Sequence, residues 1–241
     1  MTESTTAPEA VLLDVGGIFL LPERTRVVAA LARGGVEIEG AEVDDAHYRG
    51  AAHFTTHLDL EGDWAGAWRH YLDAYIDACA VPADLRDEVH QHLDSEFADA
   101  ALWVQPIPGA KEGLEALAAT GVKLGIVSNA DGLIAQRLLE LEILQVGPGL
   151  GVEVACVIDS GEVGVMKPDP RIFAIALDAM GVEPNRAWYI GDMPGFDVVG
   201  ARRAGLRPFV LSPFRDDHED DYDVVASLAD LAKLVTEARS Q

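Results

Sequence analysis

Short apolar runs alternate with amphipathic stretches along most of this chain. The runs Val11–Leu13, Val122–Val127, Val152–Ile158, Ala187–Ile190 and Leu206–Leu211 have strand length and lie near turn-forming residues. Between them, Lys111–Thr120, Leu133–Leu141, Pro170–Met180, Phe196–Ala204 and Val224–Ala238 carry apolar positions at helical spacing. Strand alternating with helix, with strands that are nearly continuous apolar runs, predicts an α/β fold built on a parallel sheet covered on both faces. The alternation stops between about Pro22 and Trp103, where the patterns are helical only, broken near Gly34–Gly35, Glu61–Gly62 and Val81–Pro82. Pro106-Ile107-Pro108-Gly109 marks the return to the sheet. Residues 1–21 and 104–241 are therefore expected to form the core, with an all-helical module inserted over 22–103.

Inside the insertion, Trp64, Trp68, Tyr71 and Tyr75 recur at spacings of 4, 3 and 4, one stripe of a helix that is expected to pack the module's own core. Six of the seven histidines lie between His47 and His92, with His53 and His57 four apart; no third ligand is in register, and solvated helix histidines are expected. Cys79 and Cys156 fit neither a disulfide framework nor a metal-ligand spacing and read as buried free thiols. The run Asp216–Asp221 reads as a solvated acidic loop. Gly147-Pro148-Gly149-Leu150-Gly151 follows a helix and precedes a strand, the reverse of a phosphate-binding dinucleotide loop.

Charge narrows the partners. Eighteen basic against 41 acidic residues give the 241-residue chain a net charge of −23, unsuited to nucleic acid or to an anionic membrane surface. The apolar runs fall well short of the roughly 20 residues a membrane span needs. The N-terminal MTESTTAPEA lacks the pattern of a secretory signal, so a soluble cytoplasmic protein is expected. The acidic excess is spread, with six basic and 17 acidic residues over 22–105, and the sequence does not fix the oligomeric state.

Four positions fall at the C-terminal ends of predicted strands, the edge where open α/β sheets bind ligands. Asp14 follows the first run and precedes Gly16 and Gly17, as a carboxylate nucleophile beside a close-approach backbone would. Ser128 and Asn129 end the second run just before a helix, where a hydroxyl and helix N-terminal N–H groups can cradle an anion. Lys167, one of four lysines, sits in a loop before Pro168 and can balance a carboxylate and a transferring phosphoryl group. Asp192 and Asp197 flank the turn after the fourth run and suit Mg²⁺.

In this order, Asp14, Ser128, Lys167 and the pair Asp192/Asp197, with Ser160-Gly161-Glu162-Val163-Gly164 ahead of Lys167-Pro168, resemble the motifs of the haloacid dehalogenase-like hydrolase superfamily over residues 11 to about 211. The resemblance implies a Rossmann-like parallel β-sheet core flanked by helices, with a helical cap inserted after the first motif. It implies that Asp14 attacks a small phosphate ester to form an aspartyl-phosphate, and that Asp14, the Gly16 carbonyl, Asp192 and Asp197 hold Mg²⁺. Ser128, Lys167 and N–H groups near Gly17 and Asn129 would bind the phosphoryl oxygens.

One departure matters. Phosphatases of this family usually carry a second Asp two residues after the nucleophile as acid and base, and here that residue is Gly16. General acid/base catalysis of roughly 10²–10⁴-fold is at stake, so a slow Mg²⁺-dependent phosphatase is expected, or one whose acid is Asp131 or a group from the cap or the substrate. The first lysine is Lys111, outside the cap, which argues against the phosphonate-cleaving branch. Two alternatives remain: a 2-haloacid dehalogenase-like hydrolase, and a non-catalytic protein that binds a phosphorylated ligand.

Overall fold

The computed structural model describes residues 7–53, 64–214 and 222–240, with the backbone alone over 64–67. In chain order the elements are β1 (Ala10–Leu13), β2 (Leu20–Pro22), α1 (Arg24–Arg33), α2 (Gly40–His53), α3 (Trp64–Ala78), α4 (Arg86–Phe97), β3 (Trp103–Pro106), α5 (Ala110–Ala119), β4 (Lys123–Ser128) and α6 (Ile134–Glu140). There follow β5 (Leu144–Val146), β6 (Val152–Val154), β7 (Cys156–Asp159), α7 (Ser160–Val163), α8 (Pro170–Met180), β8 (Ala187–Gly191), α9 (Pro194–Arg203), β9 (Arg207–Leu211), β10 (Asp223–Val225) and α10 (Leu228–Arg239).

Six strands form one parallel sheet in the order β10-β9-β8-β1-β4-β7. All four residues of β1 are buried, and they alternate between two cores. Val11 and Leu13 pack with Leu114, Leu117, Leu231 and Val235 of α5 and α10, while Ala10 and Leu12 pack with Ile172, Phe173 and Leu177 of α8. That two-residue alternation with apolar residues on both faces is the signature of a sheet covered by helices on each side. From β1 the chain steps outward through β4 to β7 and then returns to lay β8 on the other side of β1. This reversal is the switch point at which such sheets open a crevice beyond their strand ends. Leu13 pairs with both Ile126 and Ile190, so Asp14, Ser128 and Asp192 emerge at the same edge.

Between Pro22 and Trp103 the described elements are helical. They share a third core that includes Val27, Leu31, Val43, Leu72, Tyr75 and Leu93 and that also takes in Met193 from the loop after β8. Gly50 lets α2 and α3 approach closely, since a Cβ there would stand 3.1 Å from the Tyr71 ring and 3.2 Å from the Tyr71 carbonyl. The break expected at Glu61–Gly62 lies outside the described residues, as do His57 and the Asp216–Asp221 run.

Three features differ from the sequence pattern. The run Val152–Ile158 is two strands: β6 pairs with β5 in a separate small sheet, and only β7 joins the main one. The helix expected over Val224–Ala238 begins at Leu228, because Val224 and Val225 extend as β10 alongside β9 and Ser227 caps the helix, its hydroxyl accepting from the Asp230 N–H. The short strands β2 and β3, which pair antiparallel with Pro22 opposite Trp103, have no signature in the apolar pattern; they tie together the two places where the chain leaves and re-enters the core. Among the described residues no helix is long and apolar enough to cross a membrane.

Candidate active site

Asp14 is the first residue beyond β1. Its N–H donates to the Ile190 carbonyl (2.9 Å), its Oδ1 accepts from the Val15 N–H (2.7 Å), and its Oδ2 lies 2.6 Å from Lys167 Nζ. Lys167, 2 % exposed, also donates to Asp197 Oδ1 and to the Tyr189 hydroxyl oxygen, each at 2.8 Å, which uses all three ammonium protons. Tyr189 in turn donates to Asp197 Oδ1 (2.8 Å), and the Met193 N–H donates to Asp197 Oδ2 (2.9 Å). Asp197 is thereby a support for Lys167, fixed by the first turn of α9. Gly191 is required here, since a Cβ would collide with the Asp197 carboxylate.

Burial pushes the Asp14 carboxyl up to about 6; the Lys167 ammonium pulls it down, and the carboxylates of Asp197 and Asp192 push it up further. Burial likewise raises Asp192, with His47 acting in the opposite direction. Burial alone would lower Lys167, but the charges of Asp14 and Asp197 outweigh it and hold the ammonium above its ordinary value. Carboxylate oxygens of Asp14, Asp192 and Asp197 lie within 4.8 Å of one another, and Asp192 Oδ2 is buried without a hydrogen-bond partner. Three mutually repelling hard-oxygen donors fit a divalent cation, which would relieve both the desolvation and the repulsion.

Ser128, buried at the end of β4, faces the same cavity. Asn129 clamps the loop that carries Lys167, accepting from the Lys167 N–H (2.7 Å) and donating Nδ2 to its carbonyl (3.1 Å). The expected ring of free N–H groups at the start of α6 is not there. Ser160 Oγ takes the Ala130 N–H, Asp131 takes that of Leu133, and the buried Asp159 takes those of Gly132 and Ile134. Gly17 is corrected in the same way: its N–H donates to the Leu20 carbonyl (2.9 Å), so its contribution is space. At φ +64° it leaves room for Asp192, with which a Cβ would collide.

At Gly16 a Cβ would stand 3.3 Å from the Trp103 ring, so a side chain there would press against the indole. Asp131 is a poor substitute acid. Arg137 binds it through both oxygens, at 2.9 and 2.7 Å, and holds its carboxyl below the usual range.

Among the histidines of the helical segment, which the sequence pattern predicts to be solvated, His47 is not. It is fully buried in α2, its Nε2 2.9 Å from Asp192 Oδ2 and its Nδ1 3.0 Å from the Tyr71 hydroxyl. The signal was present: Val43, Ala46, His47, Gly50 and Ala51 form one helical stripe, and the histidine lies on it. The aromatic stripe of α3 divides its work. Tyr71 and Tyr75 are core, whereas Trp68 stacks on Tyr71 (4.8 Å) and lines the cavity; the side chain of Trp64 lies outside the described residues. The cavity holds about 350 Å³, with Asp14, Ser128, Lys167 and Asp192 among its polar lining residues and aromatic walls that include Trp68, Phe97, Trp103 and Phe196.

Residues 8–205 match the family model of the haloacid dehalogenase-like hydrolases. The chain is 34 % identical over 159 residues to a phosphoserine phosphatase of Thermus thermophilus, covering 65 % of this chain and 59 % of that protein. It is 30 % identical over 184 residues to the mouse haloacid dehalogenase-like hydrolase domain-containing protein 3, covering 74 % and 70 %. The matched region thus spans under two thirds of the Thermus protein. A phosphatase of Thermococcus onnurineus superposes with a TM-score of 0.54 at 21 % identity, covering 94 % of this chain and 97 % of that one, a likeness of fold.

Proposed function

This chain belongs to the haloacid dehalogenase-like hydrolases, and on that premise we propose that it is a Mg²⁺-dependent phosphatase acting on a small phosphate monoester. The observation that carries the reading is the Asp14 carboxylate, held by Lys167 at the sheet's switch point beside two further buried carboxylates. Relatives named for phosphoserine, phosphoglycolate and glyceraldehyde 3-phosphate support the substrate class.

Asp14, Asp192 and the Gly16 carbonyl would hold the ion, with Asp197 directly or through water. Bound there, Mg²⁺ would offset the charge of the phosphoryl group. Val15 N–H and Lys167 orient the Asp14 carboxylate, which attacks phosphorus as the bond to the ester oxygen breaks, giving an aspartyl-phosphate and an alkoxide that takes its proton from solvent water. Water then attacks the phosphorus, which releases phosphate and restores Asp14. Ser128 and the backbone at Asn129 bind the phosphoryl oxygens while Lys167, its protons engaged by Asp14, Asp197 and Tyr189, offsets their charge, and the helical segment acts as a cap whose aromatic walls take the apolar part of the leaving group. No side chain at position 16 protonates that leaving group, so turnover is slow and favours esters whose alcohols leave readily.

The test is phosphate release from an aryl phosphate with Mg²⁺. Asp14→Asn should lower the rate by about 10³-fold or more, and a chelator should abolish it. Full activity in Asp14→Asn would exclude the nucleophile. Halide release from a 2-haloacid in the presence of a chelator would favour dehalogenase chemistry instead. The Trp103 ring against Gly16 supports a second reading, a phospholigand-binding protein without turnover, which predicts thermal stabilisation by phosphate and Mg²⁺ with no phosphate released.

A further inference from the structure

Three rings of the cavity wall, Trp68, Phe97 and Trp103, follow one another with centroids 6.0 and 6.3 Å apart and planes inclined at 58° and 79°. Rings set so steeply offer a flat guest both a face and an edge, the contacts in which aromatic groups pack best. Trp103 carries this surface up to the nucleophile, since its indole lies 3.3 Å from a notional Cβ on Gly16, two residues after Asp14. Two cations are among the described lining residues, and both are engaged. Lys167 gives its protons to Asp14, Asp197 and Tyr189, and two nitrogens of Arg137 grip the Asp131 carboxylate. A carboxylate on the leaving group would be desolvated against rings, with no uncommitted cation among the described residues to pair with it, a cost that a neutral ring avoids. The same grip holds the Asp131 carboxyl below its usual range, so it is ionised at neutral pH and has no proton to give a departing oxygen. A leaving group that is stable as an anion meets both conditions.

We propose that the substrate is the phosphate monoester of an uncharged aromatic alcohol, a phenol in kind, and that esters bearing a carboxylate are poor substrates. The proposal rests on the phosphatase reading above, and it departs from the relatives named for phosphoserine and phosphoglycolate, both of which carry a carboxylate. In the transfer an Asp14 oxygen bonds to phosphorus while the ester bond breaks with its electron pair on oxygen. A phenolate leaves, its charge spread into the ring, and takes its proton from solvent water. The rings that hold the aromatic group thus select the class of oxygen that departs without an acid.

The experiment compares kcat/KM of the full-length protein with Mg²⁺ on phenyl phosphate, benzyl phosphate, 4-carboxyphenyl phosphate and phosphoglycolate. Benzyl phosphate keeps the ring but must expel an alkoxide; the 4-carboxyl group adds a charge while making the phenol a better leaving group. Phenyl phosphate should exceed benzyl phosphate by about 10²-fold, and each carboxylated ester by about tenfold or more, the charged ring losing through KM. Trp68→Ala should raise KM for phenyl phosphate by about fivefold. Benzyl phosphate within about tenfold of phenyl phosphate would reveal a proton donor at work and overturn the phenol. A carboxylated ester turned over as well as phenyl phosphate would overturn the uncharged leaving group, and an unchanged KM in Trp68→Ala the role of the rings. Each of these leaves the phosphatase reading standing, whereas no Mg²⁺-dependent phosphate release from any of the esters would overturn that reading itself. The wild-type comparison decides the substrate class however well Trp68→Ala folds.

Discussion

Trp103 governs what position 16 can do. Its ring stands 3.3 Å from a notional Cβ on Gly16, so a carboxylate added there meets an indole before it meets a substrate. Gly16→Asp alone should therefore leave phosphate release within a few-fold of wild type, whereas Gly16→Asp combined with Trp103→Ala should raise it by about tenfold or more, towards the range of general acid catalysis. An equal gain in the single and double variants, measured under steady-state conditions, would show that the ring is no obstacle. The cysteines offer a second check at this scale. Burial pushes the Cys79 thiol up to about 12 and also raises Cys156. A raised thiol pKa means the protonated, unreactive form at pH 8, so a thiol reagent should label neither residue in the folded protein and both in denaturant. Rapid labelling of either in the native state would contradict this.

Among the elements, the loop between β4 and α6 depends on one carboxylate. Asp159 accepts the N–H groups of Gly132 and Ile134 at Oδ2 and of Gly161 at Oδ1, so it caps α6 and α7 together. Asp159→Ala would strand three donors and should cost about 3 kcal/mol in urea unfolding, with activity falling through displacement of Asn129 and Lys167. A loss below about 1 kcal/mol would mean that water or a rearranged loop replaces the carboxylate. Elements bounded by local chemistry were readable in advance. Helix α8 runs over Pro170–Met180 as its pattern indicates, because Asp169 caps it, Pro170 occupies its first turn and Gly181 closes it in the left-handed region. Elements bounded by distant partners were not. Val224 and Val225 fit a helical stripe until β9 offers them a ladder, and the pairing of Leu20 with Pro106 spans the whole insertion. The site divides the same way. Asp14, Ser128 and Asp192 each announce themselves at a strand end and Lys167 in the loop before Pro168, and the register of β1 with its neighbours brings the first three together. That His47 meets Asp192, that Trp103 stands against Gly16 and that Asp159 takes the α6 amides are facts of packing, which no spacing encodes.

For the molecule as a whole, a net charge of −23 acts against compactness, since the excess is distributed over both parts of the chain. Salt shortens the reach of that repulsion to roughly 10 Å at 0.1 M. The melting temperature should therefore rise as NaCl is increased from 10 mM to 0.5 M, by a few degrees. A flat or falling profile would mean that exposed pairs such as Arg171–Asp169 and Arg207–Asp223 already offset the repulsion and are themselves being screened. The antiparallel ribbon of β2 and β3 bears on a different property of the whole. Pro22 and Trp103 are paired residues, so the chain leaves and re-enters through one doorway, and everything between them is a loop in the topological sense. A tight turn joining the two strands would close that doorway without altering the order, direction or register of any strand in the main sheet. The helical segment is thus a cassette, open to exchange for another of different shape while Asp14, Lys167 and Asp197 keep their places beneath it.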